Sequence, residues 1–256
     1  QDPRLVSSIT SMIASKTVDG LILTPPLSDM QPLLAELDRL AMNFVLIAPA
    51  DHANAYRSVF TNDQAACADM VRYLGSLGHR RIGFVVGHKD HKAVLNRYLG
   101  YRDGLRSLGL KFDRRLVRQG DNAFESGIRC ARGLLELTDP PTAIFASNDD
   151  MAAGVMQVAH EMGLSIPGDL SVAGFDDVPL ASYIWPSLTT IRQPIEEMAV
   201  RATALLLSQL RDGDPDTIEH TIDSELVIRA STGVPAGKRP RAAAGTTARG
   251  RPRASR

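Results

Sequence analysis

Short runs of β-branched and apolar residues alternate along the chain with amphipathic stretches of about 12 residues, and this alternation restricts the possible folds most strongly. The predicted strands span residues 18–24, 44–48, 58–60, 81–86, 116–119, 142–146, 171–175 and 225–229. The predicted helices span residues 29–40, 65–77, 93–108, 125–137, 151–162 and 194–210. Because parallel strands need a helical crossover, the pattern predicts an α/β protein. So many strands fit two doubly wound sheets better than one open sheet.

The composition is that of an ordinary soluble globular protein. The 256 residues are 44% hydrophobic and 23% charged, which excludes collagen-like, disulfide-scaffold and wholly disordered chains. No apolar run approaches the roughly 20 residues that span a bilayer, so no membrane partner is expected. Cys67 and Cys130 have no metal-ligand spacing and lie in apolar helical patterns, which predicts buried thiols. We therefore expect no metal and no cofactor.

The net charge of zero conceals an uneven distribution. Residues 235–256 contain seven basic and no acidic residues, which leaves a net charge of −7 on residues 1–234. An acidic body argues against broad nucleic-acid binding by the folded part. The segment 235–256 is rich in Pro, Gly, Ala and Arg, and we expect it to be a disordered basic tail. Its Arg-Gly-Arg-Pro-Arg run resembles the AT-hook core, so Arg249, Arg251 and Arg253 are candidate DNA contacts.

Polar residues follow most of the predicted strands. In open parallel sheets, ligands bind at the carboxyl ends of the strands. The residues at these positions are Thr24, 61–63, 87–88, 120–121, 147–149 and 176–177, which are rich in Asp, Asn, Ser and Thr. Arg97 adds a planar donor early in the following helix. The set suits a neutral ligand with many hydroxyl groups, such as a sugar, although Asx residues at these places also cap helices.

Enzyme motifs are absent from the sequence. No GxSxG elbow, Walker A loop or GxGxxG turn occurs, and adjacent carboxylates such as Asp149 and Asp150 face apart. The segment 88–91 is interpreted as a set of polar loop residues rather than as a metal site. Phe124, Tyr183 and Trp185 lie near the proposed pocket, where they either stack on a ligand or pack in the core. We therefore expect a binding protein rather than an enzyme.

Six stretches of the sequence together carry a resemblance to a known family. They are VDGLIL at 18–23, LGHRRIGF at 77–84, Arg97 with Gly100 and Tyr101, ASNDDMAAG at 146–154, IPGDLSVAGFDD at 166–177 and PSLTTI at 186–191. Together they resemble the effector-binding core of the LacI/GalR family of bacterial transcription regulators. They occur in family order and cover nearly the whole predicted folded body.

The resemblance implies a periplasmic-binding-protein-like fold, in which two Rossmann-like subdomains are joined by three crossovers and hold a ligand between them. The first subdomain is then 1–80 with about 192–222, and the second is about 81–191 with 223–234. The resemblance assigns ligand contacts to Arg97, Asn148, Asp176 and Gln193. Asn62 stands where the family has an aspartate, and Asp63 is next to it. With the strand ends included, the predicted ligand-binding residues are Thr24, Asn62, Asp63, Arg97, Phe124, Asn148, Asp149, Asp176 and Gln193.

The implied function is effector sensing by a transcriptional repressor. The family carries an N-terminal helix-turn-helix headpiece that binds operator DNA. That headpiece is absent from this chain, which begins Gln-Asp-Pro, so we expect a missing upstream segment. The expected partners are a sugar or sugar derivative, operator DNA through the headpiece, and a second copy that contacts the helix at 151–162 or the segment 178–185.

The alternative is a periplasmic sugar-binding protein of a transport system, which shares the fold. The residues LGHRRI at 77–82 and the absence of an export signal favour the regulator and a cytoplasmic location. A hydrolase or transferase on this fold lacks a nucleophile motif.

Overall fold

Ten strands and eight helices form in the part of the chain that the computed structural model describes, which is residues 3–15, 17–49, 56–89, 91, 93–212 and 219–236. The strands are β1 Gly20–Leu23, β2 Asn43–Ile47, β3 Ser58–Thr61, β4 Ile82–Val86, β5 Val117–Gln119, β6 Ala143–Ala146, β7 Ser171–Ala173, β8 Thr190–Arg192, β9 Glu219–Ile222 and β10 Glu225–Val227. The helices are α1 Pro3–Ala14, α2 Gln31–Arg39, α3 Asp63–Ser76, α4 Ala93–Ser107, α5 Phe124–Leu135, α6 Asp149–Glu161, α7 Pro179–Tyr183 and α8 Ile195–Asp212.

The strands form two parallel sheets, as the alternating pattern predicts. The first sheet has the order β1-β2-β3-β9 and the second has the order β5-β4-β6-β7. A third, antiparallel pair joins β8 to β10. Helices cover both faces of both sheets: one hydrophobic cluster lies against each face, and the four clusters are separate. The predicted fold class, an α/β chain with two doubly wound sheets, is confirmed.

The chain passes between the two sheets at three places. It leaves the first sheet after β3, returns to it between β8 and α8, and leaves it again between β9 and β10. Helix α3 follows the first crossing and packs on the second sheet, since Cys67, Met70 and Leu74 share a cluster with Ile82 and Phe84 of β4. Residues 63–76 thus pack on the second sheet, whereas the expected boundary at residue 80 assigns them to the first subdomain.

Close helix packing explains the glycines of α4. A Cβ atom on Gly100 would lie 2.2 Å from the carbonyl oxygen of Gln64, and one on Gly104 would lie 2.5 Å from the Cβ of Val71. Only glycine therefore lets α4 approach α3 this closely. Cys67 and Cys130 are free and buried, as their apolar surroundings predict.

Two expectations concern the ends and the surface of the chain. The predicted basic tail, with Arg249, Arg251 and Arg253, lies outside the described residues, and its role stays a prediction. In the described ranges, every helix is too short or too polar to cross a bilayer.

A buried histidine fastens the last described segment to the second sheet. His79 is 1% exposed, and its Nε2 lies 2.9 Å from the carbonyl oxygen of Gly233 and 3.0 Å from the hydroxyl of Ser171. Because that carbonyl can only accept, Nε2 carries the proton, and Nδ1 accepts from the Thr142 hydroxyl at 2.8 Å. The neutral ring thus satisfies every contact. Burial lowers the pKa of His79, because desolvation penalises the charged ring more than the Gly233 contact favours it.

We predict that His79→Ala lowers the free energy of unfolding by about 2 kcal/mol, since it leaves buried polar partners unsatisfied. The depressed pKa also sets a pH dependence. The contribution of His79 to the free energy of unfolding is fully present above the ordinary histidine pKa of about 6.5. It is lost as the pH falls below that value. Urea titrations at pH 7.5 and pH 5.5 measure both effects. The exposed His160→Ala serves as control, and an equal loss in both variants would contradict the assigned role of His79.

Candidate functional site

A cavity of about 490 Å³ opens where the carboxyl ends of the two sheets face each other. Its walls come from the residues that follow β1, β2, β3, β5, β6 and β7 and from the starts of α4 and α8. The lining residues are Thr24, Pro25, Ile47, Ala48, Asp63, His91, Ala93, Val94, Arg97, Asn122, Asn148, Asp176, Gln193, Ile195, Met198 and Ala199. The volume is within the range of pockets that hold small organic ligands.

Six of the nine predicted ligand-binding residues line this cavity. They are Thr24, Asp63, Arg97, Asn148, Asp176 and Gln193. The cavity therefore brings together predicted residues that are up to 169 positions apart in the sequence. Whether each of them touches a ligand stays a prediction.

Arg97 is the centre of the polar wall. Its side chain is 12% exposed, and its Nε donates to Asp63 Oδ2 at 2.9 Å. One terminal nitrogen, Nη1, donates to the carbonyl oxygen of Ser147 at 2.6 Å and lies 3.4 Å from Asp176 Oδ1. The guanidinium stacks 3.7 Å from the ring centroid of Phe175. These contacts hold the guanidinium plane in one orientation.

The two carboxylates beside Arg97 are held from behind. The Thr61 hydroxyl donates to Asp63 Oδ1 at 2.5 Å, and the Gln193 amide donates to Asp176 Oδ1 at 2.6 Å. Burial raises the pKa of Asp176, and this effect exceeds the opposing effect of the Arg97 charge and of the Gln193 hydrogen bond. One guanidinium therefore faces two carboxylates, and the polar wall is not cationic.

The backbone at the end of β7 is strained. Asp176 has φ of 112° and Asp177 has φ of 58°, a region that side chains other than glycine rarely adopt. Ion pairs hold the turn, because the Asp177 carboxylate accepts from Arg192 Nε at 2.7 Å and from Arg229 Nη2 at 2.6 Å. Strain of this kind concentrates at functional sites. It aims the Asp176 carboxylate into the cavity lining.

Asn148 both lines the cavity and caps a helix. Its Oδ1 accepts from the backbone N–H of Met151 at 3.0 Å, which caps α6, and its Nδ2 donates to the carbonyl oxygen of Asn122 at 2.8 Å. The capping role of Asx residues after strands and the lining role are thus combined in one side chain.

Three predicted residues do not line the cavity. Asn62 connects two crossings instead, since its Nδ2 donates to Asp223 Oδ1 and its Oδ1 accepts from the Ser224 N–H, both at 2.8 Å. Phe124 begins α5 and its backbone packs against α6, with the carbonyl oxygen 2.3 Å from where a Cβ on Gly154 would lie. Asn62 is excluded by its direction, because its amide points to the crossing at residues 223–224 and not into the cavity.

Asp149 is the third residue outside the cavity. It is 1% exposed, its Oδ1 accepts from the Thr190 hydroxyl at 2.6 Å, and its Oδ2 accepts from the Val178 N–H at 2.9 Å. Desolvation raises the pKa of Asp149 to about 7, against the lowering effect of these two hydrogen bonds. Asp149 therefore ties α6 to β8 and to the segment before α7.

Tyr183 and Trp185 neither stack in the cavity nor pack in the core. They are 82% and 85% exposed, so both interpretations of these two aromatic residues are wrong. Trp185 follows α7, a helix of only five residues that leaves both rings on the surface.

Several lining residues were not predicted from the sequence. Asn122 lies one position beyond the strand-end residues that were considered, and it has φ of 70°. Ile195, Met198 and Ala199 form an apolar wall at the start of α8, and the spacing of three and four residues is the helical signal that would have identified it. In the described ranges, no three His, Cys, Asp or Glu side chains cluster in a way that would hold a metal ion.

The sequence matches a known domain family and a known transcriptional repressor. Residues 71–232 match the family model of the periplasmic binding protein-like domain. The chain is 34% identical over 227 residues to the HTH-type transcriptional repressor CytR of Escherichia coli K12. The aligned region covers 86% of this chain and 64% of CytR. The chain thus spans less than two thirds of the length of this relative.

Two solved structures of transcriptional regulators are also similar to this chain. A LacI-family regulatory protein from Chloroflexus aggregans is 31% identical with a TM-score of 0.83, over 89% of this chain and 82% of that one. The transcriptional regulator CelR in complex with cellobiose is 27% identical with a TM-score of 0.84, over 90% of this chain and 71% of that one. The chain belongs to the periplasmic binding protein-like family, within the effector-binding domains of LacI-type regulators. This confirms the resemblance and the expectation of a non-enzymatic protein, and it does not support the transport alternative.

We predict that Asp149→Asn changes the pH dependence of stability. The folded protein retains the Asp149 proton up to about pH 7, whereas an unfolded aspartate loses it near pH 4. Stability from this group is therefore present below about pH 4 and declines as the pH rises towards 7. The amide stays neutral, so the variant gains stability relative to wild type between pH 4 and pH 7, on the order of a few kcal/mol.

Chemical denaturation at a series of pH values measures this difference. The neighbouring, exposed Asp150→Asn is the matched control, because it removes the same charge from the first turn of α6. A constant difference between Asp149→Asn and wild type from pH 4 to pH 7 would show that Asp149 titrates normally.

Proposed function

We propose that this chain is the effector-sensing core of a LacI-type transcriptional repressor, and that its effector is a neutral sugar or sugar derivative. The observation that carries the proposal is the buried Arg97 between two carboxylates on the wall of the 490 Å³ cavity. In this proposal, effector binding changes the affinity for operator DNA. Its expected location is the cytoplasm.

The charge of the cavity favours a neutral ligand. Asp63 and Asp176 outnumber Arg97, so a phosphate or carboxylate on the ligand would face two negative groups. A hydroxyl group can donate to either carboxylate and accept from the guanidinium, so it satisfies both kinds of partner at once. The apolar wall formed by Ile195 and Met198 suits the C–H face of a sugar ring.

The three crossings supply a hinge for the response. We infer two lobes, which are the described residues of 3–61 with those of 195–222, and the described residues of 63–192 with 225–234. This division moves the first boundary from residue 80 to Asn62. The packing of α3 on the second sheet supports this division. Side chains link neighbouring crossings, as in the Arg192–Glu225 pair at 2.9 Å and the Asn62–Asp223 contact. A ligand that binds both lobes shifts the population towards the closed arrangement.

The thermal stability of the protein tests effector binding. A bound sugar at about 100 times its Kd stabilises the folded state by about 2.7 kcal/mol and raises Tm by roughly 5–10 °C. We expect one member of a panel of neutral mono- and disaccharides to produce this rise, and its phosphorylated form to produce none.

Arg97→Lys is the informative variant, because it keeps a cation between the two carboxylates but loses the planar set of donors. We expect it to abolish most of the ligand-induced rise in Tm while the protein remains folded. Arg72→Lys, on the exposed face of α3, is the matched control. A full rise in Arg97→Lys would contradict the assignment of the site.

A homodimer is the second part of the proposal. Tyr183 and Trp185 give the segment 178–185 an exposed aromatic surface, and Met162 beside α6 is 46% exposed. Exposed aromatic residues of this kind are enriched at protein interfaces. By contrast, most of the 151–162 helix faces the core, so its interior residues do not offer a contact surface.

We predict that Trp185→Glu converts the dimer into a monomer, as measured by sedimentation velocity, with unchanged circular dichroism. Val200→Glu, which is 62% exposed on α8, is expected to leave the dimer intact. A dimer that persists in Trp185→Glu would place the interface elsewhere.

A further inference from the structure

A second cavity, of about 1080 Å³, lies between α4, the segment after α4, and the edge strand β5 of the second sheet. Its lining includes the aromatic residues Tyr98 and Phe112 and the cationic residues Lys89, Arg114 and Arg118. Only His91 and Val94 also line the first cavity, so the start of α4 separates the two. This second cavity therefore has its own chemistry.

Aromatic rings form one side of the second cavity. Tyr98 lies between Phe84 and Phe112, with centroid distances of 6.3 Å and 6.4 Å. The Arg102 guanidinium covers Tyr98 at 5.9 Å and Phe112 at 5.4 Å. Phe112 and Leu95 are nevertheless 42% and 58% exposed. Flat apolar surface is thus available at the mouth of the cavity, next to cationic groups.

Charge is distributed unevenly around these rings. Lys89, Arg114 and Arg118 line the cavity, and no lining residue in the described part of the chain is an acid. The Arg118 guanidinium donates to the carbonyl oxygens of Arg115 and Gly133 and has no carboxylate partner among the described residues. In a body with a surplus of acidic residues, such a cationic wall favours an anionic occupant.

The nearby acid does not neutralise this wall. The Asp113 carboxylate accepts from Arg115 Nη2 at 2.9 Å and lies 3.6 Å from Arg81. Hydrogen bonds from Arg115 lower the pKa of Asp113 to about 2, so it stays engaged as a carboxylate with these two cations. No described carboxylate pairs with Arg114, which sits on the cavity wall one position away.

The edge strand itself is unsuited to pairing with an extended peptide. The carbonyl oxygen of Val117 accepts from Arg118 Nη1 at 3.1 Å, and that of Gln119 accepts from the Cys130 thiol at 3.4 Å. Since strand addition needs free backbone acceptors, an acidic peptide is disfavoured as the occupant. A small molecule meets the same cations without needing the strand edge.

We propose that this second cavity binds a small organic anion that carries an aromatic ring, and that it does so independently of the sugar proposed for the first cavity. The ring stacks at Tyr98 and Phe112, and the phosphate or carboxylate group is bound by Arg114 together with Lys89 and Arg118. Guanidinium groups match both anions in geometry, so the shared requirement is a planar ring joined to an oxyanion.

The probe for this site is 1-naphthyl phosphate, whose saturable binding is measured by isothermal titration calorimetry. We expect Arg114→Gln and Phe112→Ala each to raise its Kd about tenfold or more, as for the loss of one charge-assisted contact or one stacking surface. Neutral 1-naphthol and inorganic phosphate are each expected to bind at least about tenfold more weakly than the probe. Both variants change exposed side chains, so the fold is retained.

Two controls make the outcomes decisive. Arg106→Gln removes the same charge from the exposed face of α4, outside the cavity, and should leave the Kd unchanged. Arg97→Lys should also leave it unchanged, because Arg97 lines only the first cavity. Equal weakening by Arg106→Gln, loss of probe binding in Arg97→Lys, equally tight binding of 1-naphthol, or saturable binding of hexaglutamate but not of the probe would each overturn the proposal.

Discussion

A buried guanidinium between two carboxylates is the interaction on which the rest of the site depends. Arg97 cannot lose its charge, and at 12% exposure it must find its partners within the protein. Those partners come from the start of α3, the end of β6 and the turn after β7. The strained backbone at Asp176 is tolerated because it delivers one of these partners. The positions of three elements are therefore fixed around one side chain.

The same need to satisfy polar groups within the protein explains how the two sheets are joined. Most polar side chains at the crossings already have protein partners: Asn62 binds Asp223, Gln193 binds Asp176, and Arg192 binds Asp177 and Glu225. A ligand therefore meets groups whose orientations are set before it arrives, which reduces the entropy lost on binding. These links lie at the crossings or within the second lobe, so they hold the crossing residues in fixed positions beside it.

The sequence predicts the sheets and the strand ends, because hydrophobic periodicity and parallel connections determine both. It does not predict which of two adjacent residues at a strand end lines the cavity. Asn148 lines the cavity while Asp149 points to Thr190, and Asp63 lines it while Asn62 points to Ser224. Each pair differs by one position, and the direction depends on where a strand ends and a helix begins. The apolar stripe of α3 likewise shows that the helix is packed, but not on which sheet.

Two strands were not predicted from the sequence. Strand β8 has three residues and β9 has four, and both acquire their structure from partners distant in sequence. Strand β8 is nevertheless central, because it holds Thr190 against Asp149 and continues to Gln193 at the cavity. Tertiary contacts rather than local preference decide these segments, so the residues nearest the hinge are those that a local pattern describes least well.

Charge divides the two cavities more sharply than shape does. They share only His91 and Val94, yet one places two carboxylates around one guanidinium and the other places three cations beside aromatic rings. Coulomb interactions at these short ranges are strong enough that a ligand suited to one wall is repelled or left unpaired at the other. The start of α4 separates them, so each cavity keeps its own charge pattern and its own ligand class.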